Sequence, residues 1–106
     1  MPGTQLDNRR KKQLKQIAHH LDPVVTVGDQ GVSEALIAET QRALNDHELI
    51  KVKIHAEDRH VRKDLGALLA RACDAEVVQT IGKVTVLFRK NPEPNPRLSN
   101  LARFAG

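Results

Sequence analysis

Apolar positions along this chain recur in two alternating periods, about 3.6 and 2, and their succession predicts the order of elements. Leu14, Ile17, Ala18 and Leu21 fall at helical spacing, with Asp7 or Asn8 placed to cap a first helix that runs to about His20. Asp22-Pro23 stops it, since the residue before proline is pushed out of the α region. Val24 to Val27 reads as a short buried strand. Ser33 is the expected cap of a second helix, whose stripe is Leu36, Ile37, Thr40, Ala43 and Leu44 and which ends near Asp46. From Leu49 to Ile54 the period is 2: Ile50, Val52 and Ile54 share one face, and Leu49, Lys51 and Lys53 the other. Asp58 caps a third helix with the clearest stripe, Val61, Leu65, Leu68, Leu69 and Ala72, ending near Asp74.

Glu76 to Ile81 and Val84 to Arg89 are β-rich runs separated by Gly82-Lys83, a two-residue connection with glycine first, as a type II′ hairpin requires. The predicted order is αβαβαββ. Strand–helix–strand units imply parallel pairing and the hairpin adds an antiparallel strand, so the fold class is α/β, an α+β-like two-layer sandwich with a mixed four-stranded sheet. Residues 1–6 read as a loose N-terminus. From Asn91 onward, Pro92, Pro94 and Pro96 predict an extended, flexible tail, which divides the chain into a domain over 1–91 and a tail over 92–106.

Composition narrows what this domain does. A chain of 106 residues holds one core, and with only two aromatics, Phe88 and Phe104, that core is aliphatic. So few aromatics also argue against a sheet of base-stacking platforms. A lone Cys73 excludes an intramolecular disulfide, and no apolar run reaches the roughly 20 residues of a membrane span. A cytoplasmic monomer is expected. The net charge is +4, yet Arg9, Arg10, Lys11, Lys12 and Lys15 contribute five positive charges, so the remainder comes to −1. Cations in the first turns of a helix oppose its dipole by about 0.3–1 kcal/mol each. Their placement therefore points to an anionic partner.

A second feature points the same way. Gly28-Asp29-Gln30-Gly31 lies between the first strand and the second helix, where bare backbone N–H groups and a helix N-terminus can meet a phosphate. The competing reading is that the glycines only allow a sharp turn. Asp29 is out of place in a simple phosphate cradle: it either points away or reads a base or a 2′-hydroxyl. Lys51 and Lys53 are further candidates, although lysines also protect sheet edges. Lys83 in the hairpin is another, against its reading as a turn residue.

Leu14-Lys15-Gln16-Ile17-Ala18-His19, Pro23-Val24-Val25 with Gly28-Asp29-Gln30-Gly31, His47 through Ile54, and Ile81-Gly82-Lys83 with Val86-Leu87-Phe88-Arg89 are four blocks whose order and spacing resemble the bacterial YhbY family. This is the stand-alone form of the CRM domain, named for chloroplast RNA splicing and ribosome maturation. The resemblance covers roughly residues 6 to 91. It implies a fold similar to the C-terminal domain of translation initiation factor three, and an RNA-binding protein that acts on ribosomal RNA or precursors of the large ribosomal subunit. It assigns the RNA contacts to the loop, where Gly28 and Gly31 match directly, and to neighbouring basic residues. Plant members often carry a basic residue where Asp29-Gln30 stand.

Chemistry of other kinds finds no support in the motifs. His47-Glu48 begins a zinc-protease pattern, but Lys51 occupies the second ligand position. Gly82-Lys83 lacks the glycine and hydroxyl of a P-loop, since Val77 and Val84 stand there. No metal, cofactor or catalytic constellation is expected. The alternative to RNA is a protein-docking adaptor whose basic helix meets an acidic ribosomal or assembly protein.

Overall fold

The computed structural model describes residues 7–104, so the expected loose N-terminus over 1–6 lies outside the described residues. The elements are α1 (Asn8–Ala18), β1 (Pro23–Val27), α2 (Glu34–His47), β2 (Leu49–Ile54), α3 (Arg59–Ala72), β3 (Glu76–Ile81), β4 (Val84–Phe88) and α4 (Asn100–Phe104). The strands form one mixed sheet in the order β1-β2-β4-β3, with β1 parallel to β2 and the other pairs antiparallel.

Caps set the helix starts. Asp7 accepts the Arg10 N–H at 2.7 Å, Ser33 accepts that of Leu36 at 3.1 Å, and Asp58 accepts those of His60 and Val61 at 2.7 and 3.2 Å. Helix α3 stops two residues before Asp74 because that residue takes a left-handed φ of 57°. At the hairpin, Gly82 has φ 57° while Lys83 does not, as a type II′ turn demands.

Two apolar clusters hold the sheet. Val25, Val27, Ile50, Val52, Ile54 and Leu87 meet Leu36 and Leu44 of α2 and Leu69 and Ala70 of α3 on one face. On the reverse face Leu49, Val78, Val86 and Phe88 meet Leu14 and Ala18 of α1, with Leu101 of α4 packed against them. The α2/α3 layer on the sheet is the expected sandwich, and α1 with α4 covers only part of the reverse face.

Beyond β4 the structure departs from the expected extended tail. Asn91, Ser99 and Asn100 are buried, and the segment ends in α4. Proline content predicted extension, but side-chain hydrogen bonds decide the path. Glu48, buried at the α2–β2 corner with φ 63°, accepts the Asn91 N–H at 2.8 Å and the Ser99 hydroxyl at 2.6 Å. The Asn91 side chain donates to the Leu44 and Asn45 carbonyls at the end of α2, and that of Asn100 to the Leu49 carbonyl at 2.7 Å. The Leu44 carbonyl also accepts the Glu48 N–H at 2.9 Å, so the Asn91 side chain adds a second donor at the end of α2, where the last carbonyls of a helix run short of intrahelical partners.

Candidate nucleic-acid interface

Because β1 and β2 run parallel and β4 runs against β2, three loops meet at one end of the sheet: Gly28 to Gly31, His55 to Asp58, and Gly82-Lys83. The backbone ties them together. His55 donates to the Val27 carbonyl at 2.9 Å, and Ile54 to that of Lys83 at 2.7 Å. Arg62 clamps the second and third of these loops from α3, its Nε donating to the Gly82 carbonyl at 3.0 Å and its Nη1 to those of Ala56 and Glu57 at 2.8 and 2.7 Å. Sequence reasoning missed Arg62, since nothing local reveals that a charged helix position will meet a carbonyl 20 residues away. Lys83 forms an exposed ion pair with Glu57 at 3.1 Å. Such a pair is worth about 0–1 kcal/mol, so Lys83 remains available to a phosphate.

Within the glycine loop the Gly31 N–H donates to the Gly28 carbonyl at 3.0 Å, and Gly31 has φ 70°. That conformation requires glycine on backbone grounds. Gly28 has no such φ, and a Cβ built there meets nothing within 4 Å. Turn geometry therefore explains one glycine and leaves the other unexplained. Asp29 and Gln30 are exposed, and the Asp29 carboxylate holds no hydrogen bond or ion pair among the described residues. Ser33 and the first turn of α2 follow directly.

Lys51 and Lys53 project from the reverse face of β2. Because β2 lies between β1 and β4, edge protection is not their role. Lys53 is exposed beside Thr26, its partner in register on β1, and pairs across β2–β4 with Val84 next to the hairpin. This strip of sheet is left open by α1. Thr26, Lys53 and Lys83 thus share an end with the glycine loop.

The basic first helix is elsewhere. Arg9 and Lys12 are exposed and Lys15 half-buried, while the Arg10 guanidinium lies 5.6 Å from the centroid of the Phe88 ring. Phe88 pairs with Leu49 at the start of β2, whereas the loop follows Val27, which pairs with Ile54 at its end. At about 3.3 Å per residue these points are about 17 Å apart along the strand. The candidates therefore form two cationic regions.

Cys73 is fully buried; burial pushes its thiol up from the ordinary value, with nearby Arg89 drawing it partly back. Arg89 itself ties the ends of α2 and α3, donating to Gln41 and Asn45 side chains and to the Cys73 carbonyl. Among the described residues no three His, Cys, Asp or Glu side chains gather as a metal site, and no helix is long and apolar enough to cross a membrane.

Residues 6–89 match the family model described as the CRS1 / YhbY (CRM) domain. A Pseudomonas aeruginosa protein named a probable RNA-binding protein is 50% identical over 101 residues, covering 95% of this chain and 97% of that one. A Haemophilus influenzae protein named an RNA-binding protein is 43% identical, covering 90% and 96%. The solution structure of a hypothetical protein from Staphylococcus aureus superposes with a TM-score of 0.75 at 32% identity, covering 84% of this chain and 93% of that one.

Proposed function

The chain belongs to the CRS1 / YhbY (CRM) domain family, and on that premise we propose that it is a non-catalytic, monomeric RNA-binding protein of the cytoplasm. Its RNA is ribosomal RNA or its precursor, met during assembly of the large ribosomal subunit. Gly28 carries the reading. With no left-handed φ to demand glycine and open space at its Cβ, Gly28 is accounted for by a close approach to its backbone. A phosphate at that position would face the loop N–H groups and the N-terminal end of α2, with Lys53 and Lys83 at the same end of the sheet. Arg9, Arg10, Lys12, Lys15 and Lys51 then extend the contact toward the start of β2. The αβαβαββ order supports a likeness to the C-terminal domain of translation initiation factor three.

Two experiments test this. If about five phosphates of single-stranded RNA are contacted, log K falls against log salt with a slope near −3.5. An affinity for ribosomal RNA that does not change with salt, or its absence, refutes the proposal. RNase treatment of the purified complex separates it from a protein-docking adaptor, whose partners would be retained.

A further inference from the structure

The polypeptide beyond the residues matched by the family model returns to α1 and brings together three planar side chains. The rings of His20 and Phe104 stack with centroids 5.5 Å apart and planes 8° from parallel. The Arg103 guanidinium carbon sits 5.3 Å from the centroid of the same Phe104 ring. His20 and Arg103 are exposed and Phe104 is half-buried. The other phenylalanine, Phe88, is 6% exposed and closed into the core. Of the two phenylalanine rings, that of Phe104 therefore stands at the surface, stacked with the exposed His20 imidazole and with the Arg103 guanidinium close by.

We propose that His20, Phe104 and Arg103 form a platform on which an unpaired RNA base stacks, a contact separate from the glycine loop. The inference rests on the RNA-binding reading above and adds to it a preference for single-stranded RNA. Bases stack on aromatic, imidazole and guanidinium planes alike, and such stacking tolerates any sequence because every base has a π face. Composition alone argued against base stacking, but composition counts rings and does not show where the fold gathers them. The position is built: Leu101 of α4 packs into the cluster around Leu49, and Asn100 anchors the start of α4 on the Leu49 carbonyl at 2.7 Å. Exposed Lys12 and Arg9 on the adjoining α1 supply phosphate contacts for the same strand.

Fluorescence anisotropy on the full chain tests the platform, with a single-stranded fragment of ribosomal RNA and a fully paired duplex of the same length. Phe104→Leu keeps an apolar side chain and removes the plane; Phe104→Tyr keeps the plane. Phe104→Leu should weaken binding to the single strand by at least about fivefold, with the salt slope and the duplex affinity unchanged, and Phe104→Tyr should bind as the wild type does. Wild-type affinity of Phe104→Leu for the single strand overturns the platform alone, as does an equal loss on both RNAs. Wild-type protein that binds neither RNA overturns the platform together with the proposed function. A partner that survives RNase and is released by Phe104→Leu would assign the stack to a protein instead.

Discussion

Gly28 and Gly31 are joined by one backbone hydrogen bond of 3.0 Å, yet they are glycine for different reasons. Gly31 sits at φ 70°, where a Cβ costs roughly 1–2 kcal/mol; Gly28 sits where a methyl group meets open space. Gly31→Ala should therefore lower stability by about 1–2 kcal/mol in urea unfolding. Gly28→Ala should leave stability within about 0.5 kcal/mol of wild type while weakening RNA binding. A Gly28→Ala protein with unchanged affinity would return the loop to a purely structural role.

Glu48 governs the C-terminal segment. Its carboxylate accepts from both Asn91 and Ser99, and the His47 Nδ1, 2.8 Å from the Leu98 carbonyl, donates alongside. Removing the carboxylate leaves two buried donors without an acceptor, each worth about 1–3 kcal/mol, although undocking the segment into water limits the loss. Glu48→Ala should cost about 2–4 kcal/mol and expose the Ser99–Arg103 backbone to hydrogen exchange. Glu48→Gly, which loses the same carboxylate but relaxes the φ of 63°, should be milder by about 1 kcal/mol. Unaltered exchange at Arg103 in Glu48→Ala would show that α4 is held by Leu101 alone.

Local signals and nonlocal ones separate cleanly in this protein. Stripes such as Leu36, Thr40 and Leu44, the caps Ser33 and Asp58, and the Gly82-Lys83 turn act over a few residues, and the sequence displays each of them. Period 2 in β2 put Lys51 and Lys53 on the face opposite Ile50. It could not show that β2 is an inner strand, because strand order depends on pairing with Val84 to Phe88, about 35 residues on. For the same reason Asn91, Ser99 and Asn100 read as a polar, proline-rich tail. Their partners, Glu48 and Leu49, lie more than 40 residues earlier, and no local pattern links them. The glycine loop was legible as a motif, but the unequal demands on its two glycines needed the backbone angles.

Gly66 brings the α3 backbone close against the sheet. A Cβ there would lie 3.0 Å from Thr85 Oγ1 and 3.3 Å from its Cγ2, with Ile54 Cδ1 at 3.5 Å. Thr85 is 2% exposed on an inner strand, and its branched side chain cannot swing away. Helix propensity favours alanine over glycine by about 1 kcal/mol, while overpacking costs about 1–3 kcal/mol. Crowding should win: Gly66→Ala should lose up to about 2 kcal/mol by chemical unfolding, and Gly66→Val, which gains less propensity and adds two more carbons, should lose more. A stabilised Gly66→Ala would mean that α3 can lift off Thr85 at little cost.

Arg9 and Lys12 offer the sharpest separation of function from stability. Both are exposed, and both stand in the first turns of α1, whose first turn carries no acidic residue. Cations there oppose the helix dipole, so reversing each to glutamate should stabilise the fold by about 0.3–1 kcal/mol at low salt. The same reversal replaces attraction for phosphate by repulsion. Arg9→Glu/Lys12→Glu should therefore melt at a slightly higher temperature than the wild type while binding every RNA more weakly, with the salt slope on single-stranded RNA reduced by about 1.4 for two lost contacts. A structural helix face with no RNA role would give the first effect without the second, and a face needed for folding would give a lower melting temperature. Only opposite shifts in stability and affinity fit cations kept in place by an anionic partner.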